Sequence, residues 1–184
     1  MSDGGLRTPV SERDHVLGPA DAPATLLVYG DYECPYTREV QIAVERLRPR
    51  LGDAFRYAFR HFPLRSIHPH AQHAAEAAEA AHAQGRFWAM HEALFRHQDA
   101  LDDGSLLAYA ESLALDRTAF ALAMQANEFA PRVQADLESG VESGVQGTPT
   151  LFINGARYRG ERSVAALGAA LRAAAGDAPV RDVI

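Results

Sequence analysis

An α/β fold of order β-α-β, then a block of helices, then β-β-α, is the class this sequence predicts. Three observations carry it. The apolar run Thr25-Leu26-Leu27-Val28-Tyr29 ends in a Gly-Asp turn and is followed at once by a periodic helix. Helical signals then fill about 66–145 without a strand pattern. Near the end, Asn154-Gly155 separates two short strand-like runs, a strong hairpin signal because both turn positions need φ > 0.

Residues 1–24 are rich in Pro, Gly and Asp and are expected on the surface, with the first strand near 25–30. Pro35 suits the first turn of a helix, where its missing N–H does no harm. That helix runs to about Leu51, with Val40, Ala43, Val44, Leu47 and Leu51 on one face, and Gly52-Asp53 ends it. Phe55, Tyr57 and Phe59 alternate with Arg56, Ala58 and Arg60, a strand period. Ala71 to Ala83 holds eight alanines in thirteen residues, a strong helix preference. Phe87, Trp88, His91, Leu94 and Phe95 make a helical stripe, in which His91 reads as a core histidine. Asp103-Gly104-Ser105 and Asp116 mark two further helix starts, and Pro131 opens another helix that fades at Gly144. Thr150–Ile153 and Ala156–Tyr158 are the hairpin strands, and Ser163 caps a last helix that stops at Gly176.

Composition excludes several classes. With 184 residues, 47% of them hydrophobic, the chain is long enough for a sizeable core. A net charge of −6 argues against general binding to nucleic acid or an anionic membrane. All 18 basic residues are Arg, so no Walker-type phosphate loop and no lysine Schiff base is available. Met1 to His15 lacks the apolar stretch of a signal peptide, and no run approaches the ~18 apolar residues of a membrane span. A cytoplasmic location is the expectation.

Cys34 is the only cysteine, so no internal disulfide is possible. It stands at a strand-to-helix turn, where unpaired N–H groups and the helix dipole favour a thiolate. An exposed, activated thiolate is therefore expected. A C-x-x-C dithiol centre would need a second cysteine at position 37, and that residue is Thr37. Its hydroxyl, one turn on, is placed to donate a hydrogen bond to the sulfur. Tyr36 is expected on the rim. Asp31 and Glu33 flank the thiol and read as facing water.

Taken together, Gly30-Asp31-Tyr32-Glu33-Cys34-Pro35-Tyr36, Phe59-Arg60-His61-Phe62-Pro63-Leu64, His68-Pro69 before an alanine-rich helix, Gly85-Arg86-Phe87-Trp88 and Gly144-Val145-Gln146-Gly147-Thr148-Pro149-Thr150 resemble the DsbA-like branch of the thioredoxin superfamily over about 14–173. The resemblance implies a thioredoxin fold with an all-helical insertion after the second strand. The whole of 1–184 then forms one domain, with its core at about 25–65 and 146–175 and the insertion at about 66–145. It also implies a cis Thr148–Pro149 peptide facing Cys34, beside which an extended substrate segment pairs as an added strand. Cys34 and Thr37 become the catalytic candidates, and Pro35, Tyr36, Thr148 and Pro149 the substrate-binding ones. Two departures go together. The second cysteine is Thr37, and the glutamate that many members carry six residues before the first cysteine is Val28. A buried base with no thiol to serve would be a charge without a purpose.

The function expected is that of a monothiol thiol–disulfide oxidoreductase. Cys34 forms a mixed disulfide, which glutathione or another low-molecular-weight thiol resolves as co-substrate, with protein or small-molecule disulfides as partners. A redox-inactive peptide- or ligand-binding protein and a kappa-type glutathione-dependent transferase or isomerase are the competing readings. A peroxidase fits poorly, since Thr37 follows the cysteine where peroxiredoxins place a threonine before it, and only the lone cysteine speaks for a glutathione-bridged iron–sulfur cluster. His61, His68, His70 and His73 lack a second ligand group of matching spacing, so no metal is expected. Arg46-Leu47-Arg48-Pro49-Arg50 reads as a solvated helix end.

Overall fold

The two longest strands are the two that the sequence marks most strongly. In the computed structural model, which describes residues 4–176, they lie parallel at the centre of one sheet. Residues 1–3 and 177–184, which the expected 1–184 unit takes in, lie outside the described residues. In chain order the elements are β1 (His15–Leu17), β2 (Ala24–Gly30), α1 (Pro35–Leu51), β3 (Phe55–His61), α2 (Ala71–His82), α3 (Phe87–Arg96), α4 (Asp103–Ser112), α5 (Arg117–Gln125), α6 (Ala130–Glu142), β4 (Thr150–Ile153), β5 (Ala156–Tyr158) and α7 (Val164–Ala174). The strand order is β1-β3-β2-β4-β5, with only β2 and β3 parallel. This is the thioredoxin-like arrangement, with five helices between β3 and β4.

β1 is a strand that the sequence reading leaves out. Only Val16 and Leu17 are aliphatic in it, too short a run to show a period. It pairs antiparallel with β3, His15 opposite Phe59. The segment before it is not merely surface chain. Arg60, on β3 where the alternation predicts an outward residue, is buried and forks onto both carboxylate oxygens of Asp14, at 2.6 and 3.0 Å. It also donates to Thr8 O, Pro9 O and Tyr29 Oη. A bidentate pair of this kind, with its remaining donors satisfied, is the favourable way to bury a charge.

The sheet has a core on each face. Leu26, Val28, Tyr57 and Phe59 pack with Val40, Ala43, Val44 and Leu47 of α1, with Leu167 and Leu171 of α7, and with the alanines of α2. On the other face Leu27, Tyr29, Ala58 and Phe152 meet Phe62 and Val145, with Leu6, Val10 and Leu137 against them. The small side chains of α2 let it pack against α3, α5 and α6 at once. Asn154 and Gly155 take φ of 48° and 80°, as the hairpin requires. Ser163 caps α7 as expected, accepting from Ala166 N–H, and Asp116 caps α5 in the same way.

Candidate functional site

Cys34 is the N-cap residue of α1, with extended backbone (φ −79°, ψ 118°) and Pro35 in the first turn. Its carbonyl accepts from Thr37 N–H and Arg38 N–H at 3.1 and 3.2 Å, which starts the helix directly behind the sulfur. The partial positive charge of the helix start thus lies beside Sγ. Gly30 sets how close strand and helix come. A Cβ there would sit 2.5 Å from the Phe59 ring and 2.7 Å from Thr37 Cγ2, so no larger residue fits.

The sulfur is not exposed as expected: Cys34 keeps 3% of its accessible surface. The reason is the turn at 148–149, where the Thr148–Pro149 peptide is cis and Thr148 O accepts from Cys34 Sγ at 3.4 Å. Thr148 Oγ1 is buried without a partner. Pro35 and Tyr36 are exposed at the rim, and Tyr36 lies beneath the Arg162 guanidinium at 5.6 Å. Thr37 is buried, and its Oγ1 accepts a long bond from Asp31 N–H at 3.4 Å. Sγ donates to Thr148 O, not to Thr37.

Asp31 corrects the sequence reading. It does not face water; it is 2% exposed and fully bonded. Its Oδ1 accepts from Glu33 N–H, and its Oδ2 accepts from Leu64 N–H and from the ring of His68, all at 2.8 Å. Glu33 adds a bond from His70 N–H at 2.8 Å. From the far side, Gln98 Nε2 donates to Tyr32 O and Cys34 O at 2.7 and 2.9 Å. The turn that carries the thiol is thus clamped by the β3–α2 and α3–α4 connections. Sequence reasoning missed Gln98 because nothing at 66 residues' separation signals it, and it did not foresee the bond of His68 to Asp31 either.

Behind the turn is a buried polar chain. Tyr32 Oη lies 2.9 Å from His91 Nδ1, His91 Nε2 lies 3.0 Å from Gln41 Oε1, and Tyr57 Oη donates to the same oxygen at 3.1 Å. Burial, helped by His61 and His15, holds His91 well below its usual pKa, so the ring is neutral. Burial, reinforced by Tyr57, Glu79 and Asp136, holds the Tyr32 phenol well above its own. Gln41 Oε1 can only accept, so His91 carries its proton on Nε2 and accepts from Tyr32 at Nδ1. His91 is the core histidine that the stripe predicts.

The four histidines at 61, 68, 70 and 73 do not converge on one another. His68 pairs with Asp31 and His73 with Asp103, while His61 turns inward to Glu79. His15, His61 and Glu79 form a buried trio in which both Nε2 atoms lie 2.7 Å from Glu79 Oε1. That is hydrogen-bond length, shorter than the roughly 3.3 Å between ligand atoms around a tetrahedral zinc. Burial acts to raise the Glu79 pKa, but the bonds from His15 and His61 outweigh it and hold the carboxyl far below the usual range. As an anion Glu79 only accepts, so both rings carry a proton on Nε2.

Comparison with known proteins agrees with this geometry. A family model described as Thioredoxin matches residues 10–173. A Salinispora tropica protein named Na(+)/H(+) antiporter NhaA 3 is 46% identical over 179 residues, 96% of this chain and 27% of that protein. A Herminiimonas arsenicoxydans protein named Na(+)/H(+) antiporter NhaA is 39% identical over 169 residues, 91% of this chain and 27% of its own length. The chain thus spans about a quarter of the length of these curated relatives. Among solved structures, oxidised BdbD from Bacillus subtilis superposes with a TM-score of 0.81 at 22% identity, covering 95% of this chain and 99% of that one. A thioredoxin-like oxidoreductase from Silicibacter pomeroyi gives 0.78 at 24% identity, covering 97% and 99%. The α-DsbA1 of Wolbachia pipientis gives 0.75 at 19% identity, covering 94% and 95%. With the helical block between β3 and β4, a cysteine capping α1 and the family match over 10–173, the chain belongs to the thioredoxin family and has the DsbA-like fold.

Proposed function

We propose that this chain is a monothiol thiol–disulfide oxidoreductase. A single observation carries the reading: the only cysteine caps α1, with its sulfur 3.4 Å from a backbone carbonyl and no second thiol to resolve an intermediate. The Cys34 thiolate attacks one sulfur of a substrate disulfide, that S–S bond breaks, and the other sulfur leaves as a thiolate. An external low-molecular-weight thiol then attacks the mixed disulfide and returns Cys34 to its reduced form. A substrate segment lies along Thr148, donating an N–H to the carbonyl that Sγ releases, while Pro35, Tyr36 and Pro149 bound it. Thr37 keeps the helix start in place through its bond to Asp31.

The antiporter names belong to proteins about four times as long, and no helix among the described residues is long and apolar enough to cross a membrane. We therefore assign ion transport to the part of those relatives outside the matched segment. With one cysteine the fold needs no oxidising compartment, which supports a reducing, cytoplasmic setting.

Iodoacetamide labelling tests the reactivity of the thiol. At pH 6 Cys34 is expected to react faster than a cysteine in an unstructured peptide, because the positive end of α1 lies behind Sγ. A rate equal to or below that of the peptide would reject the exchange reading in favour of a redox-inactive binding groove. Cys34→Ser supplies the unlabelled control.

A further inference from the structure

Three helices of the insertion leave a cleft between them. It has a volume of about 300 Å³ and is lined by residues of α2, α4 and α5. Leu106 and Phe120, each 1% exposed, form its floor, and half-buried Leu107, Ala121 and Met124 form its walls. The short turn at 113–116 makes α4 and α5 run back on each other. Asp103 at the start of α4 therefore meets Gln125 and Asn127, at and just past the end of α5, on the rim. His73 of α2 completes the rim, with its Nδ1 2.8 Å from Asp103 Oδ1. Leu122, one turn before Gln125, is 61% exposed and adds apolar surface beside the cleft. The surface around this apolar slot is acidic. Between residues 97 and 130, Asp99, Asp102, Asp103, Glu111, Asp116 and Glu128 stand against Arg117 alone, so this stretch carries −5 of the chain's −6. All six acids are exposed. Arg117 pairs with Glu111 and His73 with Asp103, while the other four acids are in no ion pair among the described residues. An apolar slot inside a field of one sign selects an apolar group that carries the opposite charge beside it. A second copy of this chain would bring a negative field of its own and be repelled, as would an anionic membrane.

We propose that this cleft is a docking surface for a short basic amphipathic segment of a partner protein. Its large apolar side chains enter the slot, and its Arg or Lys residues meet the acidic rim. A slot between two helices suits the apolar face of a third, with anchors at helical spacing. Docking here uses no thiol chemistry, so it stands or falls apart from the exchange reading. His73 on the rim is nonetheless one turn along α2 from His70, whose N–H holds Glu33 beside Cys34. The docked segment therefore lies within a helical turn of an anchor of the thiol loop.

The test measures fluorescence anisotropy of three labelled, cysteine-free peptides of about twelve residues with the full chain. The first has Leu at i, i+3, i+4 and i+7 and Arg at the remaining charged positions. The second replaces every Arg by Glu, and the third every Leu by Ala. The first should bind about tenfold tighter than either of the others, and its advantage over the second should shrink as salt rises. Asp103→Asn/Glu128→Gln should weaken it about threefold. Met124→Gln, which makes the wall polar at unchanged charge, should weaken it by a similar factor. Glu12→Gln/Asp21→Asn, with the same net charge as the first double variant but its changes outside the cleft, should leave the affinity as it is. Failure of the first peptide to bind would overturn the proposal. Equal affinity for the first and third would reduce the effect to net charge and overturn it, and so would equal losses in the two double variants. A dimer seen by sedimentation that Met124→Gln dissociates would give the cleft to a second copy and overturn it as well.

Discussion

Thr37→Cys is expected to change the product of oxidation altogether. With oxidised glutathione the native chain should end as a Cys34 mixed disulfide, whereas the variant should end as an internal 34–37 disulfide, lighter by two hydrogens and free of glutathione. Position 37 is one turn on from the N-cap, the C-x-x-C spacing of dithiol redox centres, where Cβ atoms at i and i+3 are roughly 5–6 Å apart before adjustment. Thr37 is already buried, and cysteine is close to it in volume, so the core is not overpacked. The bond lost is the long one from Asp31 N–H at 3.4 Å, worth about 1 kcal/mol at most. Intact mass after oxidation reads the result. A stable glutathione adduct on Thr37→Cys would show that the helix start does not bring the two thiols together.

The second large effect concerns the buried trio. Glu79→Ala should cost about 3–5 kcal/mol of unfolding free energy, because it removes the acceptor of two buried Nε2–H groups at once. Glu79→Gln should cost less, since a carbonyl oxygen can still accept. The native chain should also lose stability with acid in two stages. Burial lowers the pKa of His15 and of His91, so as pH falls below the unfolded value of 6.5 the unfolded state takes up protons that the folded state refuses. Stability therefore declines between pH 7 and pH 5. Glu79, lowered from 4.5, contributes stability present above that value and lost as pH falls further. Urea midpoints at pH 7, 6, 5 and 4 check both stages. A flat profile from pH 7 to pH 5 would contradict neutral burial of the two histidines.

The parts legible in the sequence were those whose signals are local. The run at 25–30, the alternation at Phe55–Phe59, the alanines of α2 and the Asn154-Gly155 turn each place an element within a residue or two. Cys34 was legible too, since Pro35 and the helix pattern follow it directly. What stayed hidden depends on partners far along the chain. β1 has too few residues for a period and exists because β3 offers it an edge. Arg60 follows the outward alternation of its strand yet is buried, because Asp14, 46 residues earlier, folds over it. Asp31 reads as a solvated acid beside the thiol, and only its bonds to Leu64 and His68 make it an anchor. The four histidines near 61–73 suggest one cluster, but each is drawn to a different acid, or to none. Arg46 on α1 and Arg159 and Arg162 in the β5–α7 connection line one cavity although more than a hundred residues separate them, so their placement follows from topology alone.

The central claim is that one thiol, Cys34, forms a disulfide that only an outside thiol can resolve. Intact mass spectrometry after exposure to oxidised glutathione, and again after excess reduced glutathione, tests it most directly. The account predicts one glutathione per chain, absent in Cys34→Ser, stable once unreacted glutathione is removed, and fully released by the added thiol. A chain that takes up no glutathione, or an adduct that excess thiol does not release, would contradict it.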